Sequence, residues 1–170
     1  MRRVLLTSFA ICAAILFTAD ARAQAPAPAP AAAPPPAYGE QVNLEQATKA
    51  AAAAEAEAKK NGWFMAIAVV SPSGDLVYFR KLDNTQYASI AISQHKAKAA
   101  ATFRRPTKVF EDRIAQGGAG IAALTLDGVI ASEGGVPIVV GGKIIGAMGC
   151  SGGTGAQDGQ VCMAGVNALK

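Results

Sequence analysis

The sequence predicts an α+β domain, an antiparallel β-sheet flanked by helices in an α-β-α sandwich. Three observations predict it. Trp63–Leu82 and Val136–Cys150 each read as an apolar strand, a tight turn and a returning strand, the pattern of an antiparallel hairpin. Alanine-rich or apolar-periodic stretches with helix-capping residues precede, separate and follow these hairpins. Strands and helices do not alternate one for one, so the parallel sheet of a βαβ fold is not expected.

The first 23 residues stand apart from this domain. Arg2 and Arg3 precede an apolar run from Val4 to Phe17, and Ala21-Arg22-Ala23 has the small-residue spacing of a cleavage site. A secretory leader cleaved after Ala23 is expected, giving a periplasmic or secreted product. Cys12 follows Ile11, where a lipoprotein signal would carry a small residue, so no lipid anchor is expected, and the run is too short to span a membrane. Residues 24–40 begin QAPAPAPAAAPPPA, a Pro/Ala-rich linker that tends toward extended polyproline II and is expected to be disordered. The domain is assigned to residues 41–170, ordinary in length for one hydrophobic core. The whole chain carries a net charge of +4; without Arg2, Arg3, Arg22 and Asp20, 13 basic residues face 11 acidic ones, a net +2. That balance does not suit a nucleic-acid binder. The excess is concentrated between Arg80 and Arg113, where eight Lys/Arg face Asp83, Glu111 and Asp112.

Within the domain, Asn43 and Gln46 have the spacing of a capping box, opening a helix over Leu44–Lys60 that Asn61-Gly62 closes. Trp63–Val70 and Leu76–Leu82 are the strands of the first hairpin, joined by the turn Pro72-Ser73-Gly74-Asp75. Tyr87–Phe103 has helical spacing, and its row Ala88, Ile92, His95, Ala99 and Thr102 is small and apolar except for the histidine. Pro106 ends that segment, because it cannot continue the ladder and restricts Arg105. Thr107–Gln116 is a short helix stopped by Gly117-Gly118. Ile121–Ile130 is expected to hold a strand, with a turn at Asp127-Gly128. Gly141-Gly142 joins the strands Val136–Val140 and Lys143–Cys150, and Ser151-Gly152-Gly153 breaks the second. Thr154 and Gln157 make another capping-box spacing, and the last helix is expected over Gln157–Leu169.

Few residues announce chemistry. The glycine-rich loop Ser151, Gly152, Gly153 and Thr154 feeds a helix N-terminus, where unpaired N–H groups and the helix dipole favour an anion; a glycine-rich turn also serves simply to reverse direction. The loop has neither the lysine of a P-loop nor a G-x-G-x-x-G fingerprint, which sets nucleotide hydrolysis and dinucleotide binding aside. Cys150 and Cys162 read either as a disulfide or as two buried thiols. His95 is the sole histidine, either an ordinary half-buried helix residue or an iron or haem ligand. Arg104 and Arg105 could pair with carboxylates such as haem propionates, and as cations at a helix end they could equally be solvated. Met65, Met148 and Met163 are core filler or soft ligands. No catalytic residue is identified.

Two stretches carry a resemblance to the GlcG/HbpS family of haem-degrading domains, which is similar to the C-terminal domain of PduO-type corrinoid adenosyltransferases. SQHKAKAAATFRRPTKVFEDRI, from Ser93 to Ile114, resembles the family's lysine-rich helix and the segment after it. GGVPIVVGGKIIGAMGCSGGTGAQD, from Gly134 to Asp158, resembles its long glycine-rich signature. The resemblance implies a profilin-like sheet flanked by helices and a homo-oligomer such as a ring or octamer. It also implies haem or another tetrapyrrole as ligand in some members, hence haem capture, buffering or slow degradation. The implied ligand would lie against Lys96, Arg104 and Arg105, with a propionate at Ser151–Thr154. The alternatives are an enzyme or accessory domain that takes a small anionic metabolite or corrinoid at the glycine loop, and a structural oligomer without ligand. The family's helix carries a threonine where this chain has Ala99; a hydroxyl that helps hold iron there is missing, and His95 is the residue that would substitute.

Overall fold

The computed structural model describes residues 33–170. The expected leader and the first part of the linker, residues 24–32, lie outside the described residues. The elements are α1 (Leu44–Lys60), β1 (Ala66–Val70), β2 (Leu76–Lys81), α2 (Ala88–Thr102), α3 (Lys108–Ala115), a 3-10 helix (Gly118–Thr125), β3 (Gly135–Val140), β4 (Lys143–Ser151) and α4 (Gly155–Asn167). The four strands form one antiparallel sheet in the order β2-β1-β4-β3. Both hairpins therefore form, and the second also pairs with the first through β1 and β4.

Side chains alternate across the sheet, as a period of two requires. Ile67, Val69, Met148 and Cys150 point to one face, where they pack with Ala47, Ala50, Ala54 and Ala58 of α1 and Val161, Cys162 and Val166 of α4. Ala68, Val70 and Ala147 point to the other, against Ala97, Ala100 and Ala101 of α2. Small residues dominate this second layer, and α2 sits very close to the sheet. A Cβ at Gly149 would lie 1.9 Å from the Ser93 carbonyl oxygen, and one at Gly135 would lie 2.3 Å from that of Lys96. Glycine at these two strand positions is what admits the helix backbone.

The caps form as the spacing predicts. The Asn43 side chain accepts from the Gln46 N–H at 2.8 Å while Gln46 accepts in return from the Asn43 N–H. Thr154 and Gln157 make the second capping box, and α4 starts at Gly155 rather than Gln157.

Three expectations differ from the structure. Ile121–Ile130 holds no strand; the 3-10 helix Gly118–Thr125 takes its place, followed by the expected turn at Asp127-Gly128. Gly117 (φ 68°) and Gly118 (φ 55°) turn the chain back on α3 so tightly that a Cβ at Gly120 would lie 1.9 Å from the Arg113 carbonyl oxygen. The expected linker is ordered at its end: the Gly39 N–H donates to the Ile144 carbonyl and the Ile144 N–H to the Ala37 carbonyl, both at 2.8 Å. Finally, His95 is turned outward rather than half-buried: of its row, Ala88, His95 and Thr102 are exposed, Ile92 is half-buried and Ala99 is buried. The helix α2 buries Ser89, Ser93, Lys96, Ala97 and Ala100, because that row has the small residues that fit against Ala147 and Gly149.

Candidate functional site

His95 and Lys96 are neighbours on α2 with opposite surroundings. Lys96 points inward and is 1 % exposed. Its Nζ donates to Asp158 Oδ2 of α4 at 2.7 Å and to the Glu133 carbonyl at 2.6 Å. Asp158 is 2 % exposed, and its other oxygen, Oδ1, accepts from the Gly153 N–H at 3.0 Å. Burial pushes the Asp158 carboxyl above its ordinary value, while the Lys96 ammonium and the loop N–H groups act in the opposite direction. The cluster continues outward: Thr107 Oγ1 accepts from the Gly135 N–H and donates to the Ser132 carbonyl, and Glu111 accepts from the Glu133 N–H.

This arrangement bears on the glycine loop. The Gly153 N–H serves Asp158, and the Thr154 N–H serves Gln157 Oε1 at 2.9 Å. The anion that the loop attracts is thus supplied from within, by Asp158 of the chain itself. Ser151 is buried, with its hydroxyl on that of Ser89 at 3.1 Å. The structure brings Lys96 and the Ser151–Thr154 loop together, as an internal clasp between α2, β4 and α4. Sequence reasoning misses Asp158. The signal that could have found it is an acid in the first turn of a capped helix, together with a lysine on an otherwise small helical row.

Cys150 and Cys162 are joined as a disulfide, with Cα atoms 5.7 Å apart. It ties the end of β4 to α4 beneath the same loop, and both residues are fully buried.

Arg104 and Arg105 lie at the other end of α2, away from this clasp. They form a Schellman-type stop, with the Arg104 N–H on the Ala101 carbonyl and the Arg105 N–H on the Ala100 carbonyl. Arg104 occupies the left-handed position at φ 54°, and its guanidinium lies 5.6 Å from the centre of the Tyr38 ring. Arg105 Nε donates to the Phe103 carbonyl, and its guanidinium sits over the Phe110 ring.

His95 is exposed, not half-buried. It lines a cleft of about 710 Å³ between α2, the β1–β2 turn and the Asp127-Gly128 turn. Lys98, Leu76, Phe103, Asp75 and Asp127 share the lining. His95 Nε2 lies 3.3 Å from the Gly128 carbonyl oxygen. A carbonyl only accepts, so Nε2 donates in this contact, and Nδ1 has no hydrogen-bond partner among the described residues. A ring nitrogen freed in this way, with its partner held by a backbone carbonyl, is the arrangement of a metal-binding histidine. Ala99 is fully buried, so position 99 offers nothing to a ligand outside. Among the described residues no group of three or more His, Cys, Asp or Glu could hold a metal ion; a porphyrin brings its own nitrogen ligands and asks for few from the protein. The cleft's size, its apolar Leu76 and Phe103 and the cation of Lys98 fit such a group. Among the described residues no helix is long and apolar enough to cross a membrane.

Comparison with known proteins agrees with this architecture. A family model described as haem degrading protein HbpS-like matches residues 42–167. GlcG of Escherichia coli K12 is 42 % identical over 94 residues, covering 55 % of this chain and 69 % of GlcG. The crystal structure of a double mutant of Streptomyces reticuli HbpS superposes with a TM-score of 0.70 at 31 % identity, covering 83 % of this chain and 99 % of HbpS. PduOC, crystallised as a haem complex, shares the fold with a TM-score of 0.69 at 20 % identity, covering 76 % of this chain and 96 % of PduOC. The chain belongs to the HbpS-like family of haem degrading proteins.

Proposed function

We propose that this is an exported haem-binding protein that captures or buffers haem outside the cytoplasm, with the porphyrin in the His95 cleft. The observation that carries the reading is His95 itself: an exposed imidazole, its Nε2 on a backbone carbonyl and its Nδ1 free, at the wall of a cleft large enough for a tetrapyrrole, in a chain of a haem-degrading family. The haem complex of a protein with the same fold supports it. Bound haem would supply an iron centre with redox and oxygen chemistry; this chain's residues hold and orient it. His95 would supply a ligand to the iron, Lys98 would pair with a propionate, and Leu76 and Phe103 would meet the apolar ring. Asp75 and Asp127 repel carboxylates and so favour the orientation that turns the propionates toward Lys98.

Export rests on the leader at residues 1–23 and on the Cys150–Cys162 bond, which suits an oxidising compartment. A homo-oligomer, octameric in the family resemblance, is part of the same reading. Haemin added to the purified chain from residue 24 onward should give a saturable Soret shift. Fractionation of the expressing cells should recover the cleaved protein outside the cytoplasm, and light scattering should give a mass several times that of one chain. Absence of a saturable shift refutes haem binding, and an uncleaved cytoplasmic product refutes export.

The small-anion reading of the glycine loop has less support, because the Gly153 and Thr154 N–H groups already serve Asp158 and Gln157.

A further inference from the structure

A second concavity, sharing no lining residue with the His95 cleft, lies between β3, the C-terminal half of α4 and the turn from α2 to α3. Its volume is about 310 Å³, near the lower end for small-molecule sites. Pro106, Pro137, Val139, Ile144, Met163 and Val166 form its apolar walls. Among the described residues the only charged groups on it are Arg104 and Lys170, and no aspartate or glutamate contributes. Arg104 makes no ion pair among the described residues, unlike Lys96 and Arg80, which are paired.

The guanidinium is also held in place. It lies against the Tyr38 ring, and the Tyr38 hydroxyl donates to the Ala101 and Thr102 carbonyls at 3.0 and 3.1 Å, fixing the ring to the end of α2. The backbone beneath it is unfavourable. Arg104 sits at φ 54°, in the Schellman position where glycine is the usual occupant. A strained residue beside a cavity points to a use for its side chain. An unpaired, pre-positioned guanidinium at the edge of an acid-free apolar pocket suits an anion on an apolar body, and a carboxylate is the planar anion that matches its fork. Met163, an exposed and flexible side chain on the rim, lets the wall adapt to such a body.

We propose that this pocket binds a monocarboxylate with an aliphatic body, its carboxylate on Arg104 and its chain against Val139, Met163 and Val166. This site is additional to haem and does not depend on it. Decanoate titrated calorimetrically into the protein should bind saturably, and at least tenfold more tightly than decanol. Two variants test the residues: Arg104→Gly suits the left-handed backbone and removes the guanidinium, and Val139→Trp fills the pocket while leaving Arg104. Each should weaken decanoate at least tenfold with the melting transition retained, and His95→Ala should leave decanoate affinity unchanged. The proposal is overturned by no saturable binding to the unmodified protein, by equal affinity in Arg104→Gly, or by loss in His95→Ala alone, which would put the acid in the other cleft. Haemin titrated into Arg104→Gly should behave as in the parent, so that failure of the haem reading and failure of this one are told apart.

Discussion

Lys96 of α2 and Asp158 of α4 meet at 2.7 Å across the end of β4, with side chains only 2 % and 3 % exposed. The pair joins the helix layers on the two sides of the sheet, and through Gly153 it also holds the glycine loop. Removing one member leaves the other charge buried without its partner. Lys96→Met is expected to cost about 3–5 kcal/mol, read from the urea midpoint. Lys96→Met with Asp158→Leu should recover much of that loss, since no charge is then left in the interior. Equal loss in the single and double variants would show that the pair is not the source of the cost.

The acids of this fold make opposite contributions to pH dependence. Burial raises the folded-state value of Asp158 above its ordinary 3.8. The folded chain then keeps a proton that the unfolded chain has released, so the contribution is complete below 3.8 and is lost as pH rises through the raised value. Glu55 bridges Lys59 on α1 and Arg80 on β2, and hydrogen bonds to both hold its carboxyl below its ordinary 4.5. Its contribution is present above 4.5 and is lost as pH falls through the lowered value. Glu55→Gln should therefore lose about 0.5–1 kcal/mol at neutral pH, with the difference from the parent closing under acid. A constant difference between acid and neutral pH would contradict that role.

Gly149 should tolerate no side chain. A Cβ there meets the Ser93 carbonyl at 1.9 Å and the Ala97 N–H nitrogen at 2.5 Å, backbone atoms that yield only if α2 moves off the sheet. Gly149→Ala is expected to cost about 1–3 kcal/mol or more, measured by thermal or urea unfolding. Gly141→Ala is a useful contrast: it has open space around it, and its cost comes only from φ 55°.

The Cys150–Cys162 bond closes a short loop, 12 residues in separation. Replacing both cysteines by alanine should cost about 2–4 kcal/mol, and reductant should destabilise the parent but not the variant. A parent indifferent to reductant would show that the bond contributes nothing to stability.

The local parts of the fold are legible in the sequence. Asn43 with Gln46, Thr154 with Gln157 and the Gly141-Gly142 turn each involve residues within a few positions of one another, and each forms as read. The differences arise where distant residues decide. The run from Ile121 has the composition of a buried strand, yet Ile121, Leu124 and Leu126 are exposed, because Gly117, Gly118 and Gly120 fold the segment back on α3 rather than into the sheet. The sequence places His95 on a small, otherwise apolar row as a half-buried residue, whereas a lysine by type belongs in water. Lys96 is inside because Asp158, 62 positions later, neutralises it. That inversion turns His95 outward to the cleft, the same rotation that removes Lys96 from the surface.

The most direct test is a haemin titration of the chain from residue 24 onward, followed by absorbance, with His95→Ala alongside. The account predicts a saturable Soret shift in the parent and its loss, or a weakening of at least tenfold, in His95→Ala, with Lys98→Ala weakening binding less. An unchanged Soret band and affinity in His95→Ala would contradict it, removing the iron ligand from the His95 cleft.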